Sequence, residues 1–175
     1  MSCAPEAVQH KQSARHPEYP LERLCTHLCE PSETFARQAE HLFEDRDDVG
    51  LVASDQGLAV RAETEDAIDA AVAVLNDFYG PYIRTGPPTV RYHDGVSLEQ
   101  PWMGLRVRCD AEDLDSVMRD LFARDATIVS CEPHLGQFAV QACAPLACLI
   151  GYRSALQKLT SGSAQHVMWL SHYAP

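Results

Sequence analysis

Apolar positions along this chain repeat with period two in some stretches and with a helical period in others, and the same order of stretches occurs twice. Residues 21–29 alternate, with Leu24, Thr26 and Leu28 on one side and Cys25, His27 and Cys29 on the other, which predicts a strand. Pro31 and Ser32 signal a helix start, and Phe35, Ala39, Leu42 and Phe43 recur at helical spacing until the charged run 44–48. Residues 49–52 and 58–61 predict two short strands about Ser54-Asp55-Gln56-Gly57, a turn in which glycine can take positive φ. Thr64 is placed to cap the next helix. Glu65 and Asp66 fall in its first turn, where the helix dipole favours acids, and Ile68, Ala71, Val72 and Leu75 form its apolar stripe. Gly80-Pro81 stops it, and residues 82–92 supply a last strand whose Pro87-Pro88 confines that part to an edge or a loop.

After a joining segment, 93–101, the order repeats. Residues 103–109 alternate as a strand, and Asp110 is expected to cap a helix carrying Leu114, Val117, Met118, Leu121 and Phe122. Residues 127–131 and 137–143 predict a hairpin across the five residues 132–136. Pro145 suits the first turn of one further helix with Leu146, Leu149, Ile150, Leu156 and Leu159, closed by Thr160-Ser161-Gly162. Residues 167–170 form the final strand. Both halves thus read β-α-β-β-α-β, an α+β plan of two tandem ferredoxin-like (split βαβ) modules, each a four-stranded antiparallel sheet with two helices on one face. The expected divisions are a flexible leader over 1–18, one module over 19–95 and a second over 96–175.

Charge narrows the classes of partner. The chain of 175 residues has a formal charge of −11, and residues 1–95 hold 17 acids against 8 bases while 96–175 hold 8 against 6. Such a chain repels phosphate backbones on average, so direct RNA binding is not expected. Arg106 and Arg108 are the one basic cluster, on one strand face. No secretory signal or membrane helix is read: the richest apolar stretch, 138–152, is too short and is interrupted by Gln141, Pro145 and Gly151. Seven cysteines, with no C-x-x-C pair, fit a reducing, cytoplasmic setting.

No constellation reads as an active site, and neither a cofactor nor a metal is expected. Cys25, His27 and Cys29 share a strand face and carry zinc-type donors, but i, i+2 spacing is awkward for a tetrahedral site and no fourth ligand is evident. Cys131 with His134 could form a nucleophile and base only if the fold held them within hydrogen-bond reach, and core packing is the reading preferred for Cys109, Cys131 and Cys143. The run of Glu44, Asp45, Asp47 and Asp48 lacks the alternating oxygen ligands and central glycine of a calcium loop. Glu63, Glu65, Asp66 and Asp69 read as helix N-terminal bias plus solvent surface. Trp169 reads as an anchor against the sheet or the other module rather than a base-stacking platform, since no positive charge flanks it.

Residues 144–173, APLACLIGYRSALQKLTSGSAQHVMWLSHY, resemble the C-terminal domain of the elongation factor G family of ribosomal translocases. Pro145, Leu146, Gly151, Tyr152, Leu156, Leu159, Thr160, Gly162, His172 and Tyr173 fall on that family's pattern. The segment FYGPYIRTGPPTVRY, 78–92, resembles the end of the family's third domain. The resemblance implies a third domain joined directly to a fifth, without GTPase, second or fourth domains, and no G-x-x-x-x-G-K-[ST] loop occurs in the chain. Family charges on the last helix fall on Cys148, Ala155 and Gln157, and the family's arginine after the closing turn falls on Ser163, so the scaffold is kept while polar contact positions are replaced. The implied working face is that helix: Tyr152, Arg153, Gln157, Lys158, Thr160, Ser161 and Ser163. The expected function is a non-catalytic module binding a protein partner, ribosomal or otherwise linked to translation. Two alternatives stand beside it: a structural or oligomeric adaptor, homodimeric through an edge strand or free sheet face, and a small-molecule binder or enzyme using the inter-domain cleft.

Overall fold

The computed structural model describes residues 19–94 and 97–175. The leader expected over 1–18 and the division at 95/96 lie outside the described residues. The first half runs β1 (Leu21–His27), α1 (Ser32–Glu40), β2 (Val49–Ser54), β3 (Gly57–Ala62), α2 (Glu65–Tyr79), β4 (Ile83–Thr85) and β5 (Thr89–Val90). The second runs β6 (His93–Asp94), β7 (Leu98–Cys109), α3 (Leu114–Ala123), β8 (Thr127–His134), β9 (Gln137–Pro145), α4 (Leu146–Leu149), α5 (Tyr152–Leu159) and β10 (Gln165–Ala174).

The two sheets share one topology. Their main strands are ordered β2-β3-β1-β4 and β8-β9-β7-β10, all antiparallel, and β5 and β6 add short pairings to β1 and β7. Each half is a ferredoxin-like module, its first and third strands central and its helices on one face. The reason is the alternation itself: Leu21 and Cys25 of β1 and Leu58, Val60 and Ala62 of β3 are buried with Phe35, Ile68 and Leu75 of the helices. In the second module Met103, Leu105, Val107 and Cys109 of β7 and Val140, Ala142 and Ala144 of β9 meet Val117, Leu121, Leu146, Leu149, Tyr152 and Leu156 in the same way. Each fully buried large side chain contributes about 1.5–3 kcal/mol, which far outweighs the surface ion pairs.

The caps follow local chemistry at some ends and depart from expectation at others. Thr64 caps α2, its hydroxyl accepting from Ala67 N–H at 3.4 Å, and Gly80 ends that helix at φ +60°. Asp110 does not cap α3: a turn intervenes and the helix begins at Leu114, while the Asp110 carboxylate accepts from Gln137 Nε2 at 2.9 Å. The hairpin loop is two residues, Leu135 and Gly136 at φ +49° and +85°, the left-handed pair that matches strand twist, so β8 and β9 run longer than their apolar alternation indicates. The last helix is two: Ile150 is extended and Gly151 sits at φ +74°, breaking α4 from α5. The joining segment is also partly strand, because His93 and Asp94 pair with Glu99 and Leu98. Among the described residues no helix is long and apolar enough to cross a membrane.

Gly57 begins β3 at φ +144°, and a Cβ there would lie 2.4 Å from the Cys25 carbonyl oxygen on the neighbouring central strand. Neither atom is the flexible end of a side chain, so Gly57→Ala is expected to cost upwards of about 1 kcal/mol. A lower urea midpoint at unchanged slope would register it, and an unchanged midpoint would contradict this account of the β2–β3 turn.

Candidate functional site

The C-terminal helix exists because of the break before it. Gly151 turns the chain with a left-handed backbone, and α5 then buries Tyr152 and Leu156 against β10 and the Arg124 guanidinium, which lies 5.3 Å from the Tyr152 ring. Of the seven residues expected to form its working face, five are exposed: Arg153, Gln157, Lys158, Ser161 and Ser163. Tyr152 and Thr160 are not part of that face. Tyr152 is fully buried, with its phenol pushed well above the ordinary range by burial and then by Asp120. Thr160 is 3% exposed, and its hydroxyl donates to Leu156 O at 2.9 Å and accepts from Ala164 N–H at 3.2 Å, stitching the helix end to the turn before β10.

Acids of the first module hold this region in place, which their sequence reading as solvent surface did not anticipate. Glu63 Oε1 accepts from Leu170 N–H of the edge strand β10 at 2.5 Å. Glu65 Oε2 accepts from Gly151 N–H at 2.8 Å, supplying from the other module a carboxylate at the start of α5, where free N–H groups and the helix dipole favour one. Asp66 Oδ1 pairs with Arg153 Nη1 at 2.5 Å. Asp69 is also partnered, with Arg23 at 2.8 Å. The partners lie 86 to 107 residues away in sequence for the three seam contacts, so local pattern carries no signal for them.

Between these acids and the second module lies a cavity of about 240 Å³, lined by residues including Thr64, Glu65, Asp66, Arg153, His166 and Met168. It is smaller than the usual ligand pocket of about 300–1,000 Å³. His166 stands at its wall, its ring 5.8 Å from Tyr152 and nearly perpendicular to it. Burial holds the imidazole below its ordinary pKa; Asp66 acts against that shift and Arg153 adds to it.

The candidate chemical groups are dispersed by the fold. Cys25 is buried and its thiol is pushed up to about 11 by burial, whereas Cys29 is exposed beyond the end of β1. His27 Nδ1 accepts from Cys29 N–H at 3.3 Å and Glu30 N–H at 2.9 Å, and its ring packs among Phe35, Tyr79 and Tyr82. Among the described residues no group of three or more His, Cys, Asp or Glu side chains could hold a metal ion. Cys131 stands opposite Val140 of the buried row, and His134 borders the opposite, open face, so the pair is split across the sheet.

With this geometry in place, comparison with known proteins locates the likeness. Residues 97–175 match the family profile described as Elongation factor G C-terminus. Elongation factor G of a Ruegeria species is 35% identical over 81 residues, 46% of this chain and 12% of that protein. Elongation factor G of Pseudothermotoga lettingae is 38% identical over 76 residues, 43% of this chain and 11% of its own length. The mitochondrial Ribosome-releasing factor 2 of Danio rerio is 37% identical over 81 residues, 46% of this chain and 11% of that protein. The chain therefore spans about a ninth of the length of these relatives, and a distant, partial relationship to the elongation factor G family is carried by its C-terminal part. A crystal structure of a protein from Thermus thermophilus superposes with a TM-score of 0.65 at 16% identity over 99% of this chain and 43% of the other, which shows a shared fold.

The depressed His166 pKa has a thermodynamic consequence at the seam. The unfolded imidazole titrates near 6.5, above the folded one, so below about that pH the unfolded chain binds more protons and stability falls as pH falls. Above it both states are neutral there and the contribution is flat. The stability of the wild type relative to His166→Gln should therefore decline on acidification below about pH 6.5, read from urea midpoints at several pH values. A pH-independent difference would show that the ring is not neutral and half-buried.

Proposed function

We propose that this chain is a non-catalytic binding module that associates with the ribosome or a translation-related protein in the cytoplasm through the exposed side of α5. The match of residues 97–175 to the elongation factor G C-terminus supports this reading above all. On it, 19–95 corresponds to the family's third domain and 96–175 to its C-terminal domain, joined directly. The docking residues are Gln157, Lys158, Ser161 and Ser163, with Arg153 shared between the partner and Asp66.

The alternatives have less behind them. Homodimerisation by strand addition has outer strands to use, β2 and β8 among them, and at β8 Pro133 and the bulge between Ile128 and Ser130 interrupt the edge in the manner that discourages pairing. The cavity of about 240 Å³ between the modules is small, and the carboxylates on its wall, Glu65 and Asp66, are engaged in holding α5.

Co-sedimentation of the full chain with ribosomal subunits from its own host tests the proposal. Binding at about 50 mM salt that weakens by about 200 mM, and weakens again with Lys158→Glu, is the expected result. Absence of co-sedimentation at the lower salt would overturn the ribosomal reading, and undiminished binding by Lys158→Glu would move the contact away from α5.

A further inference from the structure

Arginines stand on the second face of both sheets, and they are partnered differently. On the first module Arg61 of β3 lies opposite Glu22 of β1 and pairs with it at 2.6 Å, and Arg91 approaches the same carboxylate at 3.8 Å. On the second module the corresponding face carries Arg106 and Arg108 of the inner strand β7. Neither is in an ion pair among the described residues. Arg106 lies against a neutral group, the Gln141 carboxamide: with the amide assigned oxygen-inward, as the two guanidinium donors facing it require, that oxygen accepts from Nη2 at 2.5 Å and Nε at 3.1 Å. Arg108 Nε is buried without a hydrogen-bond partner among the described residues. Glu132, Ser130 and His134 border the shallow depression of about 270 Å³ that both arginines line.

An aromatic platform adjoins these charges. Trp169 of β10 stands opposite Gly104 of β7, and a Cβ on Gly104 would come within 2.5 Å of the indole, so the missing side chain is what lets the ring settle against the backbone. The ring remains 43% exposed. Arg106 is the next residue on that face of β7, about 7 Å along the strand, and Arg108 follows at the same interval. The charge absent from the sequence around Trp169 is thus delivered from the neighbouring strand. Beyond Gly104 in the other direction Trp102 stacks with His172 at 6.0 Å and 11°.

We infer that this open sheet face binds single-stranded RNA, with a base on Trp169 and two phosphates on Arg106 and Arg108. An exposed indole takes the face of any base, and unpaired guanidiniums take phosphates; a ferredoxin-like sheet with aromatic and basic residues on its free face supplies both. The net charge of −11 limits affinity but does not remove a local site, because interactions beyond about 8–10 Å are screened at physiological salt. This face adjoins the docking surface proposed on α5: around the β10 edge, Arg106 and Arg108 share a depression of about 570 Å³ with Arg153 and Gln157.

Fluorescence anisotropy of a labelled oligouridine with the full chain provides the test, at protein concentrations up to about 100 μM, the weak end of non-specific binding. Two phosphate contacts to a single strand predict about sevenfold weaker binding between about 50 and 200 mM salt. Arg106→Gln with Arg108→Gln should abolish that salt slope, and Trp169→Leu should weaken binding about tenfold while leaving the slope in place. Circular dichroism checks that each variant is folded. If one is not, the salt slope of the wild type and quenching of tryptophan emission in Trp102→Phe, where Trp169 is the only indole, decide the matter. Absence of binding at about 50 mM salt, a double glutamine variant that binds like the wild type, or displacement by an acidic peptide with no preference for the oligonucleotide would each overturn the inference. Ribosome co-sedimentation lost with Lys158→Glu but kept in the double glutamine variant would separate the two surfaces.

Discussion

A four-stranded sheet of this kind has one face that must leave water, and two helices are what cover it. In both modules the buried rows, Leu58-Val60-Ala62 on one central strand and Met103-Leu105-Val107-Cys109 on the other, set which side the helices occupy. Everything with a bearing on function lies where that covering stops. The outer side of α5, the seam beside it and the uncovered sheet faces are what remains available to other molecules.

The seam shows how a marginal module gains a neighbour. Modules of this size bury only about 60% of their unfolded surface. Here the first module adds directed contacts to the second: three acids in the span 63–66 satisfy an edge-strand amide, a helix-start amide and a guanidinium. Amides at a strand edge and a helix start are otherwise left to water, so a carboxylate finds ready donors there. These contacts fix Arg153 in an ion pair and leave Lys158 and Gln157 as the freer polar groups of α5.

The same fold repeated has produced two unlike open faces. On the first, the Glu22 carboxylate pairs with Arg61 across the two central strands, whereas on the second a glutamine occupies the comparable place beside Arg106. A carboxylate would cancel the guanidinium, and a carboxamide only aims it. The Trp169 ring lying over Gly104 gives that second face an apolar plane next to unneutralised charge, within a chain that is acidic as a whole.

The strand and helix order, the stripes of α2 and α3, the Thr64 cap and the Gly80 stop were legible in the sequence because each depends on residues within a turn or two of one another. So was the likeness of 144–173 to a translocase C-terminus, which rests on spacing. The sequence did not reveal the break at Gly151, the two-residue turn at Leu135-Gly136 or the burial of Tyr152 and Thr160, since backbone hand and side-chain direction depend on what packs against them. Nor could it reveal the seam acids or the arginines beside Trp169. Period alone determined that this chain makes two half-covered sheets; tertiary structure decided which charges meet, because Coulomb and hydrogen-bond partners are set by distance in space, and residues far apart along the chain, such as Gly104 and Trp169, stand side by side across a pair of strands.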